Sequence, residues 1–306
     1  MERKKLKIGY VLAEFPSPTE TFIAHEIRGL LECGASVTVF ALREGTEGLM
    51  PVCPLYYRGT ETRYDLSGLG RACVGLAWDA FKLDWRSPSS LAYALRNVTT
   101  AFQFGRLVRK MDIDHLHSHF AFTPTDLALM MGRMEGKTVS FSAHAWDVFC
   151  QGQTLPAKLE RARLCITCSR AARRRVQSIV PPELESKVRC VHHGTDLLRF
   201  SFDPSGEVGE PARILAVGRL VPKKGFEHLL YACRRLLARR RIRCRIVGTG
   251  PLEAKLRNLA QKLDLMRAIE FTGGVPPEQM PAVYADADVL AVPSVIGPGG
   301  DRDGLP

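Results

Sequence analysis

The sequence predicts an α/β protein built from two doubly wound domains, and three observations support this. Its 306 residues, 45% of them hydrophobic, exceed a typical single α/β domain and can fill two cores. Apolar, β-rich runs alternate with amphipathic helical stretches in both halves of the chain. Between residues 199 and 211 the composition shifts to Asp, Pro, Ser, Gly and Glu, which is typical of a linker. We therefore predict an N-terminal domain over 1–198, a linker over 199–211 and a C-terminal domain over 212–306.

The composition limits the environment and the partners. A formal charge of +11 fits a phosphate-bearing ligand, a nucleic acid or an anionic membrane surface. The basic residues are spread over several helices without a recognition motif, so we predict no nucleic-acid partner. Nine cysteines without framework spacing, no cleavable signal and no run apolar enough to span a bilayer predict a cytoplasmic protein with free thiols.

The chain opens with a β-α-β pattern. A strand over 7–13 is followed by Ser17-Pro18-Thr19-Glu20, which matches a capping box with Ser17 as N-cap and predicts a helix to about Cys33. A second strand begins at Ser36. The loop over 14–20 then lies at the carboxyl end of the first strand, where open α/β sheets bind ligands. Glu20 is either a helix cap or a ligand contact.

Two helices are predicted in the middle of the domain, over about 69–84 and 90–110. Their aromatic residues either rest on a membrane interface or pack in the core, and helical spacing together with Asp79 and Asp84 favours the core. The aromatic residues concerned are Trp78, Phe81, Trp85, Tyr93, Phe102 and Phe104.

Two neighbouring strands carry histidines. A strand over 113–120 points His115, His117 and His119 to one face, where three imidazoles could bind zinc. No partner cysteine or carboxylate shows ligand spacing, and such a row also suits a sheet end that faces a polar cleft, so we predict no metal. The next strand, over 137–143, ends at His144 with Asp147 three residues later. This pair suits hydrogen bonding to a sugar hydroxyl or a reacting centre, or a structural histidine.

The other predicted elements carry few candidate site residues. Cys165 and Cys168 form a CxxC whose side chains face opposite ways in a strand, so we predict core thiols. The remaining predicted strands cover 164–169, 187–193, 213–218, 242–247, 268–273 and 289–294. The remaining predicted helices cover 170–180, 252–263 and 279–286, with one more that opens just after Gly225.

A strand, a basic turn and a helix follow one another from Arg213 to Tyr231. Backbone N–H groups at the helix start, with Arg219, Lys223 and Lys224 beside them, could hold a diphosphate from two directions, although a solvated basic turn has the same pattern. Gly248 and Gly250 after the next strand would let the backbone approach a ligand, or form a simple turn.

Together these stretches resemble the family-4 glycosyltransferases of the GT-B fold. The N-terminal stretches are most similar to the exopolysaccharide and colanic-acid branch. The motifs that carry the resemblance are SPTETFIAHEIRGL, HLHSHFA, FSAHAWDVF, ITCSRAARRRV, HHGTDLLRF, VGRLVPKKGF, IVGTGPL, IEFTGGV, MPAVYADADVLAVPS and DGLP.

The resemblance implies two Rossmann-like domains that face a cleft, with a UDP- or GDP-sugar donor on the C-terminal domain and a glycan or lipid-linked acceptor on the N-terminal domain. It implies a hexosyltransferase that retains anomeric configuration, without a metal or other cofactor, and with peripheral contact at the inner face of the plasma membrane. The implied catalytic residues are His144 and Asp303. The implied donor residues are Arg219, Lys224, Gly248, Gly250, Gly273 and Val275, and the acceptor-side residues are Thr19, Glu20, His119 and Asp147.

One departure from the family pattern concerns its two glutamates, which are separated by seven residues. Asp303 takes the first place, and the second would fall beyond Pro306. Only four strands are recognisable in the second domain, which is therefore expected to be incomplete. From this we expect a fragment of a longer transferase, with little activity and exposed apolar faces.

Two alternative functions are compatible with part of this sequence pattern. Nucleotide-sugar epimerases and phosphorylases share GT-B sheets, although no lysine here has a recognisable context for pyridoxal phosphate. A non-catalytic protein could instead bind nucleotide-sugars, anionic glycans or lipids. Product formation from UDP- and GDP-sugars separates a transferase from a binder.

Overall fold

The computed structural model describes residues 5–46, 48, 50–59, 88–200 and 208–305, without the side chains of 88–95. The chain divides into two compact units, Met1–Thr195 and Asp196–Pro306. The helix predicted over 69–84 lies outside the described residues, as do Trp78, Phe81, Trp85 and the side chain of Tyr93. The predicted domain limits at 198 and 211 stay predictions.

Unit 1 contains a parallel sheet of seven strands in the order β3-β2-β1-β4-β5-β6-β7. The strands are β1 Lys7–Phe15, β2 Ser36–Glu44, β3 Leu55–Tyr57, β4 His115–His119, β5 Thr138–Ala143, β6 Leu164–Thr167 and β7 Val188–Cys190. The helices are α1 Thr21–Glu32, α2 Pro88–Lys110, α3 Thr123–Glu135, α4 Ala145–Phe149, α5 Leu155–Arg161, α6 Arg170–Gln177 and α7 Pro182–Glu185. The order reverses between β1 and β4, and such a switch point is where open α/β sheets bind ligands.

Both faces of this sheet are covered by helices. Alternate residues of β1 enter two different clusters, because successive side chains of a strand point to opposite faces. Val11 joins Leu116 and Phe141 in the larger cluster, whereas Leu12 packs with Ile27 of α1. Phe104 is buried in the larger cluster and Phe102 packs against it, which confirms the core-packing prediction for these two aromatic residues.

Unit 2 contains a parallel sheet of four strands in the order β10-β9-β8-β11. The strands are β8 Ala212–Val217, β9 Ile242–Val247, β10 Ile269–Gly273 and β11 Val289–Leu290, and the helices are α8 Phe226–Leu237, α9 Glu253–Lys262 and α10 Met280–Ala285. The core lies between β8, β9 and helices α8 and α9. The edge strand β11 is shorter than the predicted 289–294, and Val289 and Leu290 are about half exposed.

The predicted capping box at Ser17 is wrong. β1 continues to Phe15, and the backbone N–H of Glu20 donates to the Ser17 carbonyl in a turn. Helix α1 begins at Thr21, with Glu20 rather than Ser17 at the N-cap and without a side-chain capping hydrogen bond. The same polar residues that suit a helix cap also suit a turn, and here the longer strand leaves room only for the turn.

Candidate functional site

The three histidines of β4 lie along one face of the sheet, beside hydroxyl side chains of β5. The parallel register pairs His115 with Thr138 and His117 with Ser140. His115 Nδ1 lies 2.7 Å from Thr138 Oγ1, and His117 Nδ1 lies 2.7 Å from Ser140 Oγ. The shared face predicted from the sequence is confirmed, and it is a ladder of hydrogen bonds between neighbouring strands.

A cluster of aromatic, histidine and acidic side chains forms where β1, β4 and β5 meet helix α1. We call it the histidine cluster, and its members are Tyr10, Phe22, Glu26, His117, His119, His144 and His193. His119 Nδ1 lies 3.1 Å from His144 Nε2. The rings of His144 and His193 stack with centroids 5.6 Å apart, and the ring centroids of Phe22 and His193 lie 4.3 Å apart. The structure thus brings together two predicted site residues, His119 and His144.

Burial sets the charges in the histidine cluster. It lowers the pKa of His117 to about 3, and it holds the pKa of His144 well below its ordinary value. Burial would raise the pKa of Glu26, but hydrogen bonding and charge from His119, with His117 and Tyr10, outweigh it and lower that pKa to about 2. At neutral pH the cluster therefore combines neutral imidazoles at His117 and His144 with one carboxylate.

Glu26 is the residue that sequence reasoning missed. It lies on α1, and its Oε1 accepts a hydrogen bond of 2.5 Å from the Tyr10 hydroxyl. The same oxygen lies 3.5 Å from His119 Nε2 and 3.9 Å from His117 Nε2. The available signal was its place three residues after buried Ile23, on the helix face that turns toward the sheet.

His144 and Asp147 are joined by local structure. His144 is the N-cap of α4, and its backbone N–H donates to Asp147 Oδ2 at 2.8 Å. Asp147 is buried, and burial raises the pKa of its carboxyl although backbone hydrogen bonds oppose the change. Asp147 thus orients the start of the helix that carries His144, and a contact of Asp147 with an acceptor stays a prediction.

The other acceptor-side residues differ in exposure. Thr19 is exposed in the turn after β1, and its hydroxyl lies 3.4 Å from Ser17 Oγ. Glu20 is partly buried at the start of α1. His119 is fully buried, so a glycan acceptor could contact it only through its neighbours.

In unit 2 a loop over Gly218–Gly225, which we call the basic loop, connects β8 to α8. Gly218 donates its N–H to Val247, and Leu220 donates to Thr249, so the loop is tied to the end of β9. A Cβ at Gly248 would lie 2.0 Å from the Gly218 carbonyl oxygen, and one at Gly250 would lie 2.7 Å from Leu220 N. These two glycines therefore allow two backbone segments to approach each other, and their contact with a nucleotide stays a prediction.

The basic loop is neutralised in part by two aspartates. Lys224 Nζ lies 2.8 Å from Asp303 Oδ2, an oxygen that also accepts a hydrogen bond from Ser294 at 2.8 Å. Lys223 Nζ lies 3.0 Å from Asp301 Oδ1. The structure thus joins a predicted donor residue, Lys224, to a predicted catalytic residue, Asp303, and gives Lys223 a partner.

Arg219 is exposed, and no ion pair or hydrogen bond to its side chain is found among the described residues. It is therefore available to an anion that reaches the basic loop.

A pocket opens beside Lys224 in unit 2, at the ends of β8 and β11. Its wall includes Val217, Phe226, Tyr284, Pro293 and Ser294. Gly273 ends β10 with a φ of 76°, and its carbonyl accepts the N–H of Gly248 at 2.7 Å. Val275 follows two residues later and is partly buried. Gly248, Gly250 and Gly273 therefore belong to one connected set of strand ends.

Cys165 and Cys168 are buried free thiols, as predicted. Within the residues described, no helix combines the length and hydropathy needed to cross a bilayer.

Comparisons with known proteins agree with this architecture. The family model described as Glycosyltransferase Family 4 matches residues 19–199, which is more than half of the chain. A second model, described as Glycosyl transferases group 1, matches residues 199–300.

Individual relatives fall in the same group. The putative colanic acid biosynthesis glycosyltransferase WcaL of Escherichia coli K12 is 28% identical over 98% of this chain and 78% of its own length. A GDP-mannose-dependent phosphatidylinositol monomannoside mannosyltransferase of Mycolicibacterium smegmatis is 29% identical over 72% of this chain and 60% of its own length.

Among solved structures, Anabaena HepE in complex with UDP and glucose superposes with a TM-score of 0.65 at 14% identity, over 94% of this chain and 74% of that one. Since this identity is low, the superposition bears on the fold alone. Two units with parallel sheets and the two family matches lead to one conclusion: the chain belongs to Glycosyltransferase Family 4 and is a glycosyltransferase of the GT-B fold.

Proposed function

We propose that this glycosyltransferase moves a hexose from a UDP- or GDP-sugar to a glycan or lipid-linked acceptor in cell-surface polysaccharide synthesis, with retention of anomeric configuration. The observation that carries the proposal is the basic loop, where Lys224 meets Asp303 and Arg219 stands exposed at the end of β8. The biosynthetic role is supported by the similarity to WcaL. UDP and GDP-mannose are named for HepE and for the mycobacterial relative respectively.

In this proposal Arg219 and Lys224 bind the diphosphate and stabilise the negative charge that develops as the sugar leaves. The donor then needs no metal ion. Because Lys224 Nζ lies 2.8 Å from Asp303 Oδ2, the diphosphate must share or replace that carboxylate. Asp303, held by Lys224 and Ser294, is left beside the departing sugar.

The remaining residues take supporting roles. Gly248 and Gly250 border the nucleotide, and the Gly273–Val275 backbone meets the base. His144 contacts the transferred sugar, with Thr19 and Glu20 on the acceptor side. We place the reaction in the cytoplasm, with peripheral contact at the inner face of the plasma membrane.

Calorimetric titration with UDP and GDP tests the basic loop. Arg219→Ala and Lys224→Met each remove a charged hydrogen bond and should weaken binding of the preferred diphosphate by about 1.5 to 3 kcal/mol, or about 10- to 150-fold. Arg235→Ala is the matched control, because Arg235 is an exposed arginine in the last turn of α8.

Chemistry is tested with UDP- and GDP-sugars, with water as the default acceptor and the anomeric configuration of the product read by NMR. Indifference of the chain to both diphosphates would refute the proposal. Tight binding without sugar release in any acceptor screen would favour the non-catalytic binder.

A further inference from the structure

Three donor atoms of the histidine cluster converge beneath His144. They are Glu26 Oε1 from α1 and the Nε2 atoms of His117 and His119 from β4. The carboxylate oxygen lies 3.5 Å from His119 Nε2 and 3.9 Å from His117 Nε2, and all three atoms lie within 4.8 Å of one another. Two imidazoles and one carboxylate are the ligand set of many zinc sites that keep a position open.

His119 gives an independent reason to expect a ligand. Its side chain is fully buried, and among the residues that the structure describes its Nε2 has no hydrogen bond of ordinary length, only the long contact with Glu26 Oε1. A distance of 3.5 Å to the Glu26 oxygen exceeds the usual 2.7 to 3.2 Å of an N–H···O bond. Since a buried polar atom without a partner is destabilising, an unpaired nitrogen aimed at a carboxylate indicates a missing occupant.

The other ring nitrogens are held as they are in metal-binding histidines, whose second nitrogen usually bonds a neighbouring polar group. His117 Nδ1 lies 2.7 Å from Ser140 Oγ, and His119 Nδ1 lies 3.1 Å from His144 Nε2. The Tyr10 hydroxyl donates to Glu26 Oε1, the same oxygen that faces the two histidines, and a carboxylate oxygen has a further lone pair for an ion. Each ligand side chain is therefore held by a neighbouring polar group.

We propose that Glu26, His117 and His119 bind one divalent transition-metal ion of the zinc class, with a fourth position open. Zn–N distances of about 2.0 to 2.1 Å in a tetrahedral site place ligand atoms about 3.3 Å apart. The two distances from Glu26 Oε1, 3.5 and 3.9 Å, are close to that spacing, and the remaining ligand pair lies within 4.8 Å. Ser142 Oγ, which lies 3.1 Å from His117 Nε2, turns away or takes the fourth position.

The ion would enter past Glu26, whose side chain is 35% exposed, whereas His117 and His119 are almost completely buried. Binding uses the Nε2 lone pair of His119 and places its proton on Nδ1, which then donates to His144 Nε2, while the His144 proton moves to its Nδ1 and the capping bond from the Asp147 N–H is given up. The site lies within unit 1 and leaves charge neutralisation of a diphosphate to the basic loop. The proposal is therefore independent of the proposed function.

The test uses the untagged, chelator-stripped 306-residue chain. Zn²⁺ is titrated against a fluorescent chelator, bound metal is counted by mass spectrometry, and Co²⁺ is added as a visible probe. We expect one equivalent of Zn²⁺, a Co²⁺ absorption band and no response to Mg²⁺, since imidazole is a poor ligand for that ion.

Glu26→Gln, His117→Asn and His119→Asn should each weaken Zn²⁺ binding by at least about tenfold, by analogy with losses at metal-supporting residues. His115→Asn is the matched control, because His115 belongs to the same row of β4 but bonds Thr138 and Ser140 instead of facing Glu26. It should keep the wild-type affinity. Circular dichroism checks that each variant is folded.

A second measurement uses only the wild-type chain. Histidine ¹⁵N NMR with and without Zn²⁺ should show His119 losing its Nε2 proton and His117 and His119 shifting together. Less than about 0.2 equivalents of bound metal would overturn the proposal. Equal losses of Zn²⁺ affinity in Glu26→Gln and His115→Asn would also overturn it. A proton that stays on His119 Nε2 in the presence of Zn²⁺ would do the same, because it would indicate that the cluster holds hydrogen bonds alone.

Discussion

Replacing Gly225 by alanine should destabilise unit 2 far more than the same change at Gly273. Both glycines have left-handed backbones, with φ of 65° and 76°, so alanine incurs similar strain of about 1 to 2 kcal/mol at either position. Alanine also lowers the conformational entropy of the unfolded chain, which stabilises the folded state by about 0.4 to 1 kcal/mol in both cases. The two sites therefore differ in the space around the new methyl group.

That space differs sharply. A Cβ at Gly225 would lie 2.0 Å from the Pro293 carbonyl oxygen, whereas a Cβ at Gly273 meets nothing within 4 Å. Forcing an extra carbon into a packed region costs about 1 to 3 kcal/mol, and a backbone carbonyl yields less readily than a side chain. We expect Gly273→Ala to cost about 1 kcal/mol and Gly225→Ala about 3 to 4 kcal/mol.

Urea unfolding followed by two probes provides the assay. All three tryptophans, Trp78, Trp85 and Trp146, belong to unit 1, so their fluorescence reports that unit. Far-UV circular dichroism reports both units. The Gly225→Ala transition should shift in circular dichroism while tryptophan fluorescence changes little. Gly274→Ala should cost nothing and stabilise by up to about 1 kcal/mol, because its Cβ enters open space without a left-handed backbone. Equal destabilisation by Gly225→Ala and Gly273→Ala would refute the reasoning.

Two further predictions concern unit 1. The pKa of His117 is lowered to about 3 and that of Glu26 to about 2, so the unfolded chain binds more protons and stability should fall as the pH drops from about 6.5 toward 3. In metal-free buffer, His117→Asn should reduce the slope of the unfolding free energy against pH by up to about 1.4 kcal/mol per pH unit. Urea unfolding followed by tryptophan fluorescence measures this slope, and the same slope in the variant and the wild type would contradict the prediction. Cys33 is exposed while Cys165 is buried with its pKa raised to about 12, so a thiol reagent should modify Cys33 rapidly and Cys165 only after unfolding. Rapid labelling of Cys165 in the native protein, mapped by peptide mass spectrometry, would show that burial does not protect it.

The elements that could be predicted from sequence are those whose pattern is local. Strands β4, β5, β8 and β9 are continuous apolar or alternating runs, and each ends close to its predicted residue. His144 could be identified because it directly follows a strand whose carboxyl end must meet neighbouring strand ends. The start of α1 could not, because the residues around Ser17 satisfy a cap and a turn equally well, and the length of β1 decides between them.

Contacts set by tertiary packing escaped prediction. Glu26 reaches His117 and His119 only because α1 packs on the face of the sheet that carries the β4 histidines, and the sequence gives no ligand spacing between them. The pairing of Lys224 with Asp303 likewise joins residues far apart in the chain. The crowding at Gly248 depends on the Gly218 carbonyl, which a glycine motif alone does not reveal.

The two lysine–aspartate pairs of the basic loop affect how an anion is captured. Although the chain carries a formal charge of +11, Lys223 and Lys224 are cancelled locally and Arg219 supplies the remaining positive charge of the loop. The two lysines therefore add little of their own to the attraction at long range that the net charge of the chain supplies. At the loop itself, an arriving phosphate takes the place of the aspartate carboxylate beside a lysine. When the phosphate leaves, the carboxylate returns, so the lysine has an anionic partner before and after binding.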